Sequence, residues 1–189
     1  MDEQQFDLVH LDSLDLSGYL PHFRGIPVVC THHNVESDLL RRRAQTARSS
    51  IVRRYMQLQA DLTMREEGRW CPSVALNVAV SAGDASRFLE IAPESRFVVV
   101  PNGVDTRAFQ PNVGSENRLV FVGGYSWYPN RDAMEYFGEA ILPLIRRRNP
   151  SVEVTWVGRS SPEVQREYKD RFGIHLTGYV EDIRPYVRD

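Results

Sequence analysis

Seven runs of continuous apolar residues, most of them β-branched or aromatic, limit what this chain can fold into: Phe6–Leu11, Ile26–Thr31, Val74–Ser81, Phe97–Pro101, Arg118–Gly123, Val152–Gly158 and Ile174–Val180. They do not alternate between apolar and polar residues, so they predict strands of a parallel sheet covered on both faces by helices. The intervening segments agree. Ala133–Arg148 carries Met134, Phe137, Ile141, Leu142 and Ile145 at helical spacing, and Arg146, Arg147 and Arg148 complement the dipole at its end. Val35–Arg69 is helical in composition, with no Gly or Pro before Gly68. Strand and helix in alternation predict an α/β architecture of Rossmann type.

The polar, turn-rich stretch Pro111–Asn117 interrupts this alternation. It predicts a linker at 111–117 between two partial domains, 1–110 and 118–189, with four strands before it and three after. Each set is smaller than the five or six strands of an average sheet. With 42% hydrophobic and 25% charged residues the chain is globular rather than disordered. No apolar run approaches the roughly 18 residues that a membrane crossing needs. The start, Met1-Asp-Glu-Gln-Gln, is acidic where a secretory signal is basic and then apolar, so a cytoplasmic location is expected. Cys30 and Cys71, the two thiols, are read as reduced packing residues.

Charge is distributed unevenly. Of 23 basic residues, 22 are Arg and one is Lys169, so a mechanism needing a lysine amine has a single candidate. Six of the arginines, Arg41, Arg42, Arg43, Arg48, Arg53 and Arg54, fall in one stretch without an acid, beside Leu39, Leu40, Ile51, Val52, Tyr55 and Met56. A basic amphipathic helix of this kind suits an anionic lipid surface or an anionic substrate, and an Arg-rich solvated face is the alternative.

Three glycine-bearing turns follow strands: Pro101-Asn-Gly-Val-Asp105, Val122-Gly-Gly-Tyr125 and Trp156-Val-Gly-Arg159. In a Rossmann-like unit such turns face the ligand crevice and let main-chain amides approach a phosphate. The chain has no Gly-x-Gly-x-x-Gly fingerprint and no Gly-x-x-x-x-Gly-Lys-Ser/Thr loop, which argues against an NAD-dependent enzyme and a P-loop phosphotransferase. Asn102-Gly103 suits a tight turn with positive φ. Glu66 and Glu67, beside Arg65 and Arg69, read as helix surface or ion pairs.

The order of motifs resembles the family 4 glycosyltransferases of GT-B type over nearly the whole chain. It runs Pro27-Val-Val-Cys-Thr-His-His-Asn-Val-Glu36, Val78-Ala-Val-Ser81, Val100-Pro-Asn-Gly-Val-Asp105 with Phe109 and Pro111, Leu119-Val-Phe-Val-Gly123, Val157-Gly158 and Leu176-Thr-Gly-Tyr-Val180. Tyr125-Ser-Trp-Tyr-Pro-Asn-Arg-Asp-Ala133 is similar to a subgroup concerned with bacterial polysaccharide or glycolipid assembly.

The resemblance implies two incomplete Rossmann-like (GT-B) parallel-sheet halves flanked by helices, with acceptor on the N-terminal side and a nucleotide-diphosphate sugar on the C-terminal side. It implies transfer with retention of configuration to a glycan or lipid-linked acceptor, with no metal or other cofactor and no nucleic acid. On the donor side, Gly123 and Gly124 match the turn under the diphosphate, Gly158 the following glycine turn, and Val180 and Glu181 the contacts to the nucleobase. The family's Arg and Lys after the first turn correspond here to Gly124 and Pro129, leaving Arg131 as the candidate replacement. His33 falls where the family carries a catalytic-loop histidine beneath the acceptor sugar, with Asn34 beside it and His32 as the one-residue register alternative. Adjacent residues point apart on a strand, so His32 and His33 do not make a metal pair.

Two full domains of this kind need about 300 to 400 residues. With about half that length, the chain is expected to lack donor-binding carboxylates and to be inactive alone. The second reading is a non-catalytic module that self-associates through exposed sheet edges, a homo-oligomer.

Overall fold

The computed structural model describes residues 6–110 and 117–188. The expected linker at 111–117 lies, up to Asn117, outside the described residues. The chain divides into two compact units, Met1–Gly103 and Val104–Asp189.

In the first unit, β1 (Val9–Leu11), β2 (Val28–His32), β3 (Leu76–Ala79) and β4 (Phe97–Val99) form a parallel sheet in the order β1-β2-β3-β4. A 3-10 helix, Leu14–His22, connects β1 to β2. Two helices, α1 (Glu36–Thr46) and α2 (Ser50–Trp70), connect β2 to β3, and α3 (Ala82–Ile91) connects β3 to β4. In the second unit, β5 (Arg118–Val122), β6 (Glu153–Val157) and β7 (His175–Leu176) form a parallel sheet in that order. Its helices are α4 (Tyr128–Tyr136), α5 (Leu142–Arg148), α6 (Pro162–Phe172) and the short α7 (Arg184–Val187). All seven strands form within the predicted runs or one residue beyond them, and both sheets are parallel.

Coverage differs from expectation. Every crossover within a sheet steps in the same direction, and right-handed crossovers then place the connecting helices on one face. Burial accordingly alternates along β2: Val28, Cys30 and His32 are buried, while Val29 and Thr31 are only half-buried. On the edge strands, Val98, Val99 and Val122 remain at least 40% exposed.

The predicted continuous helix over 35–69 is two helices. Ala47 has an extended backbone (ψ 125°), and Ser49, also extended, is the N-cap of α2. Ser49 makes no side-chain cap bond, and the Arg53 guanidinium donates to the Ala47 carbonyl across the break. The helices then pack against each other, each with a fully buried alanine, Ala44 and Ala60. The predicted helix over 133–148 begins earlier, at Tyr128, and contains a π-turn, Phe137–Ile141. Pro143 lies just past it, without an N–H to donate, and a widened turn accommodates that loss. Gly138, within the π-turn, lets the Phe172 ring lie where a Cβ would meet it at 2.9 Å.

The core of the second unit is built around Trp156, which meets Phe121 and Tyr168 edge-on at 5.5 Å between ring centroids. The first unit has two smaller clusters, one on Leu11, Val28, Cys30 and Val74 and one on Val35, Cys71, Phe88 and Ala92. Burial pushes the Cys30 thiol up to about 11 and the Cys71 thiol up to about 12, so both stay protonated packing groups.

Candidate functional site

In open parallel sheets, ligands bind outside the carboxyl ends of the strands. Each unit offers such an end, with different chemistry.

In the first unit, β2 delivers two adjacent imidazoles to opposite sides. His32 is 3% exposed and within hydrogen-bonding distance of Asn77 Oδ1, with 2.8 Å from its Nε2. Both protons of the Asn77 amide are used on main-chain carbonyls, those of Cys71 and Arg96, so its oxygen is the acceptor. This network assigns His32 as the neutral Nε2–H tautomer. Burial lowers its pKa, against the opposing effect of the Asn77 bond. His32 also packs on the rings of Phe88 and Phe97. It is a core residue, which corrects its reading as a group facing an acceptor.

His33 is the exposed imidazole. Its Nε2 is 3.2 Å from Oδ1 of Asp12, the residue after β1, and half of its side chain is open to solvent. Asn34 donates to Glu36 at 3.4 Å. Beneath this loop lies Glu67, 1% exposed, which accepts from the Ser37 N–H at 3.1 Å and the Ser37 hydroxyl at 2.5 Å, tying α2 to the first turn of α1. Burial raises the Glu67 carboxyl above the ordinary glutamate value, with the Ser37 bonds acting in the other direction. Glu67 is thus not the surface acid expected from its neighbours; that description fits Glu66, which accepts from the Trp70 indole N–H. A cavity of about 30 Å³, the size of one water, is bounded by His32, His33, Asn34 and Glu67 among others. Glu67 was legible in one respect: it lies seven residues after Ala60, on the buried face of α2.

In the second unit, glycines bring the main chain of three turns together. The Gly123 N–H donates to Val157 O, Tyr125 N–H to Arg159 O and Thr177 N–H to Trp156 O, all at 2.9–3.0 Å, and Gly158 bridges Gly178. A Cβ on Gly158 (φ 155°) would stand 2.2 Å from Gly123 O, and only glycine allows this approach. The indole N–H of Trp156 also reaches Gly123 O, at 2.5 Å. Gly124 differs: its carbonyl accepts from Asn130 Nδ2 at 3.1 Å, but a Cβ there would meet no atom within 4 Å. Arg131 is half-buried, its guanidinium 5.7 Å from the Tyr125 ring centroid and 5.9 Å from that of Tyr128. Val180 is half-buried and Glu181 exposed. Asp182 accepts from the Arg184 N–H and guanidinium, which hold its carboxyl below the ordinary aspartate value.

Two residues without a predicted role stand at the same edge. Arg159 follows Gly158, and its guanidinium lies 5.4 Å from the ring centroid of Tyr179, which is 68% exposed. The expected positive-φ turn at Asn102-Gly103 is absent: Gly103 is not among the glycines with positive φ, and the turn that follows is made by Asp105, which accepts from the N–H groups of Arg107 and Ala108. Among the described residues, no three His, Cys, Asp or Glu side chains are grouped to hold a metal ion.

Residues 1–108 match the family model described as Glycosyltransferase Family 4. The chain belongs to glycosyltransferase family 4. A second model, Glycosyl transferases group 1, matches residues 116–189. No curated protein matches the chain significantly. Among solved structures, this family 4 chain is similar to TarM, with a TM-score of 0.59 and 10% identity over 96% of this chain and 34% of that one. It is also similar to Anabaena HepE, solved in complex with UDP-glucose, with a TM-score of 0.58 and 17% identity over 95% of this chain and 50% of that one. These likenesses establish a shared GT-B fold, and the chain spans half or less of the length of both structures.

Proposed function

We propose that the carboxyl end of the second unit's sheet binds the diphosphate of a nucleotide-sugar donor, and that the His33 loop of the first unit contacts the acceptor, a glycan or a lipid-linked sugar. The acceptor hydroxyl attacks the anomeric carbon on the face from which the diphosphate departs, a leaving phosphate oxygen takes the proton, and configuration is retained. His33, paired with Asp12, hydrogen-bonds and orients the acceptor sugar. Charge developing on the diphosphate is met by the guanidinium of Arg131 and by main-chain amides of the glycine turns other than those of Gly123 and Tyr125, which already donate to Val157 O and Arg159 O. Val180 and Glu181 lie where the nucleobase is held. The nucleotide-sugar is a substrate, and the chemistry as drawn uses no metal or other cofactor.

The observation that carries this reading is the approach of Gly123, Gly124 and Gly158 at the strand ends, where the main chain leaves open space around Gly124. Family membership supports it, as does the UDP-glucose complex of HepE. Because the chain spans half or less of the solved neighbours, we expect it to hold nucleotide without turning it over. Calorimetric titration of UDP and GDP tests the donor site. Gly124→Asp adds a carboxylate in open space and is expected to weaken binding at least tenfold, about 1.4 kcal/mol, whereas Gly124→Ala leaves it unchanged. No binding by the wild-type chain, or equal binding by Gly124→Asp, overturns the assignment.

A further inference from the structure

The solvent side of α2 does not look like the outside of a surface helix. Its inward side carries Ala60 and Glu67, both at most 1% exposed. On the opposite side, where polar residues are the rule, stand Ile51, Tyr55, Leu58 and Leu62, exposed by 79%, 55%, 55% and 43%. Spaced four, three and four residues apart, they form one stripe about 16 Å long at 1.5 Å per residue. Arg54 and Arg65 flank it, and the turn leading into α2 adds Arg48.

Charge selects what covers this stripe. From Leu39 to Ala60 there is no acid and there are six arginines. Arg41 is turned toward Asp38 and Asp61, which removes it from the basic surface expected from sequence. Arg42, Arg48 and Arg54 are exposed, and Arg53, also exposed, caps the Ala47 carbonyl while keeping its charge outward. The acids of α2, Asp61, Glu66 and Glu67, all lie beyond this stretch, so the helix has a basic leading end. A second copy fits poorly: antiparallel pairing that matches Ile51 with Leu62 and Tyr55 with Leu58 brings Arg48 near Arg65, and parallel pairing opposes every arginine to itself.

We propose that this face of α2 docks on an anionic lipid bilayer, with Ile51, Tyr55, Leu58 and Leu62 entering the headgroup boundary and Arg48 and Arg54 reaching phosphates beside them. Among the described residues, no helix is long and apolar enough to cross a membrane, and docking of this kind needs none. The docking does not rest on the glycosyl-transfer reading; if both hold, they favour a lipid-linked acceptor.

Co-sedimentation of the full chain with vesicles of phosphatidylcholine alone, or mixed with phosphatidylglycerol, tests the proposal. Binding to the mixed vesicles alone is expected, weakened by salt. The pair Ile51→Ser and Leu58→Ser, and separately Arg48→Glu and Arg54→Glu, should each reduce it by about tenfold or more. Circular dichroism and UDP titration of both variants should match wild type, since these side chains are exposed and lie outside the proposed donor site. Absent binding, equal binding to both vesicle types, or variants that bind like wild type overturn the proposal. So does a dimer, seen by light scattering, that the serine pair dissolves.

Discussion

At the carboxyl end of the first unit's sheet the chemistry is carried by side chains: His33 and Asp12 in solvent, Asn34 beside Glu36, and Glu67 buried under the loop. At the same end of the second unit it is carried by the main chain, because Gly123, Gly124 and Gly158 leave no side chain in the way. A side-chain site can change its chemistry without changing its fold. A main-chain site has no such freedom where it is packed, as at Gly158, whose Cβ would meet the backbone at 2.2 Å, and keeps it only where it is open, as at Gly124. The two ends should therefore fail differently when perturbed.

Gly158→Ala is the largest expected failure. Its Cβ would fall 2.2 Å from a main-chain oxygen, at a φ that alanine rarely adopts, and no flexible side chain is available to yield. The second unit should lose about 3 kcal/mol or more in denaturant unfolding. Gly124→Ala, with nothing within 4 Å, should lie within about 0.5 kcal/mol of wild type. Similar losses at both glycines would refute the distinction between a packed and an open turn.

The first unit's nearest equivalent is Glu67, whose role is replaceable. Glu67→Ala leaves the Ser37 N–H and hydroxyl without their buried acceptor and should cost about 2–3 kcal/mol. Glu67→Gln keeps an oxygen for the N–H and offers its NH2 to the Ser37 oxygen, so it should stay within about 1 kcal/mol of wild type. If both variants lose the same stability, the carboxylate charge rather than the hydrogen bonding holds α1 in place.

These contrasts bear on what could be read in advance. Parallel strands and the glycine turns after β5 and β6 were legible, because a continuous apolar run and a Gly after it are local signals, whereas the expected turn at Asn102-Gly103 did not form. The alternating burial along β2 was not legible, since it follows from strand order. The split of 35–69 was not legible either, because neither Gly nor Pro marks it and Ser49 makes no side-chain cap bond. Which of two adjacent histidines is exposed follows from the phase of β2, which buries Val28, Cys30 and His32 together. Reading that phase required knowing that the strand runs on to His32. Arg159 and Tyr179 were hidden for a different reason. They meet because β6 and β7 pair with Trp156 opposite Leu176, so residues three positions on come together, and no sequence spacing reveals that register.

The same pair of buried groups predicts a smaller effect, in pH. Burial raises the Glu67 carboxyl above its ordinary value of 4.5, so its contribution is complete below pH 4.5 and is lost as pH rises through the folded value. Burial lowers His32 below 6.5, so its contribution is complete above pH 6.5 and is lost as pH falls through the folded value. In chemical denaturation the first unit should lose stability on the acid side through His32. Glu67→Gln should selectively remove the loss that begins above pH 4.5 as pH rises, leaving the His32 limb intact. A profile unchanged by Glu67→Gln would mean that Ser37 bonding offsets burial at this carboxylate.

The smallest effect is the most diagnostic for the side-chain end. Asp12 and His33 are both at least half exposed, and an exposed pair contributes little to folding. Asp12→Asn and His33→Asn should therefore shift the unfolding midpoint by amounts near experimental error, within about 0.5 kcal/mol. The nucleotide binding proposed at the glycine turns should also stay unchanged, because those turns belong to the other unit. If His33→Asn instead destabilises the first unit as much as Glu67→Ala does, then His33 is part of the scaffold. The carboxyl end of that sheet would then lose the imidazole proposed to contact an acceptor, and the contrast between the two ends would weaken.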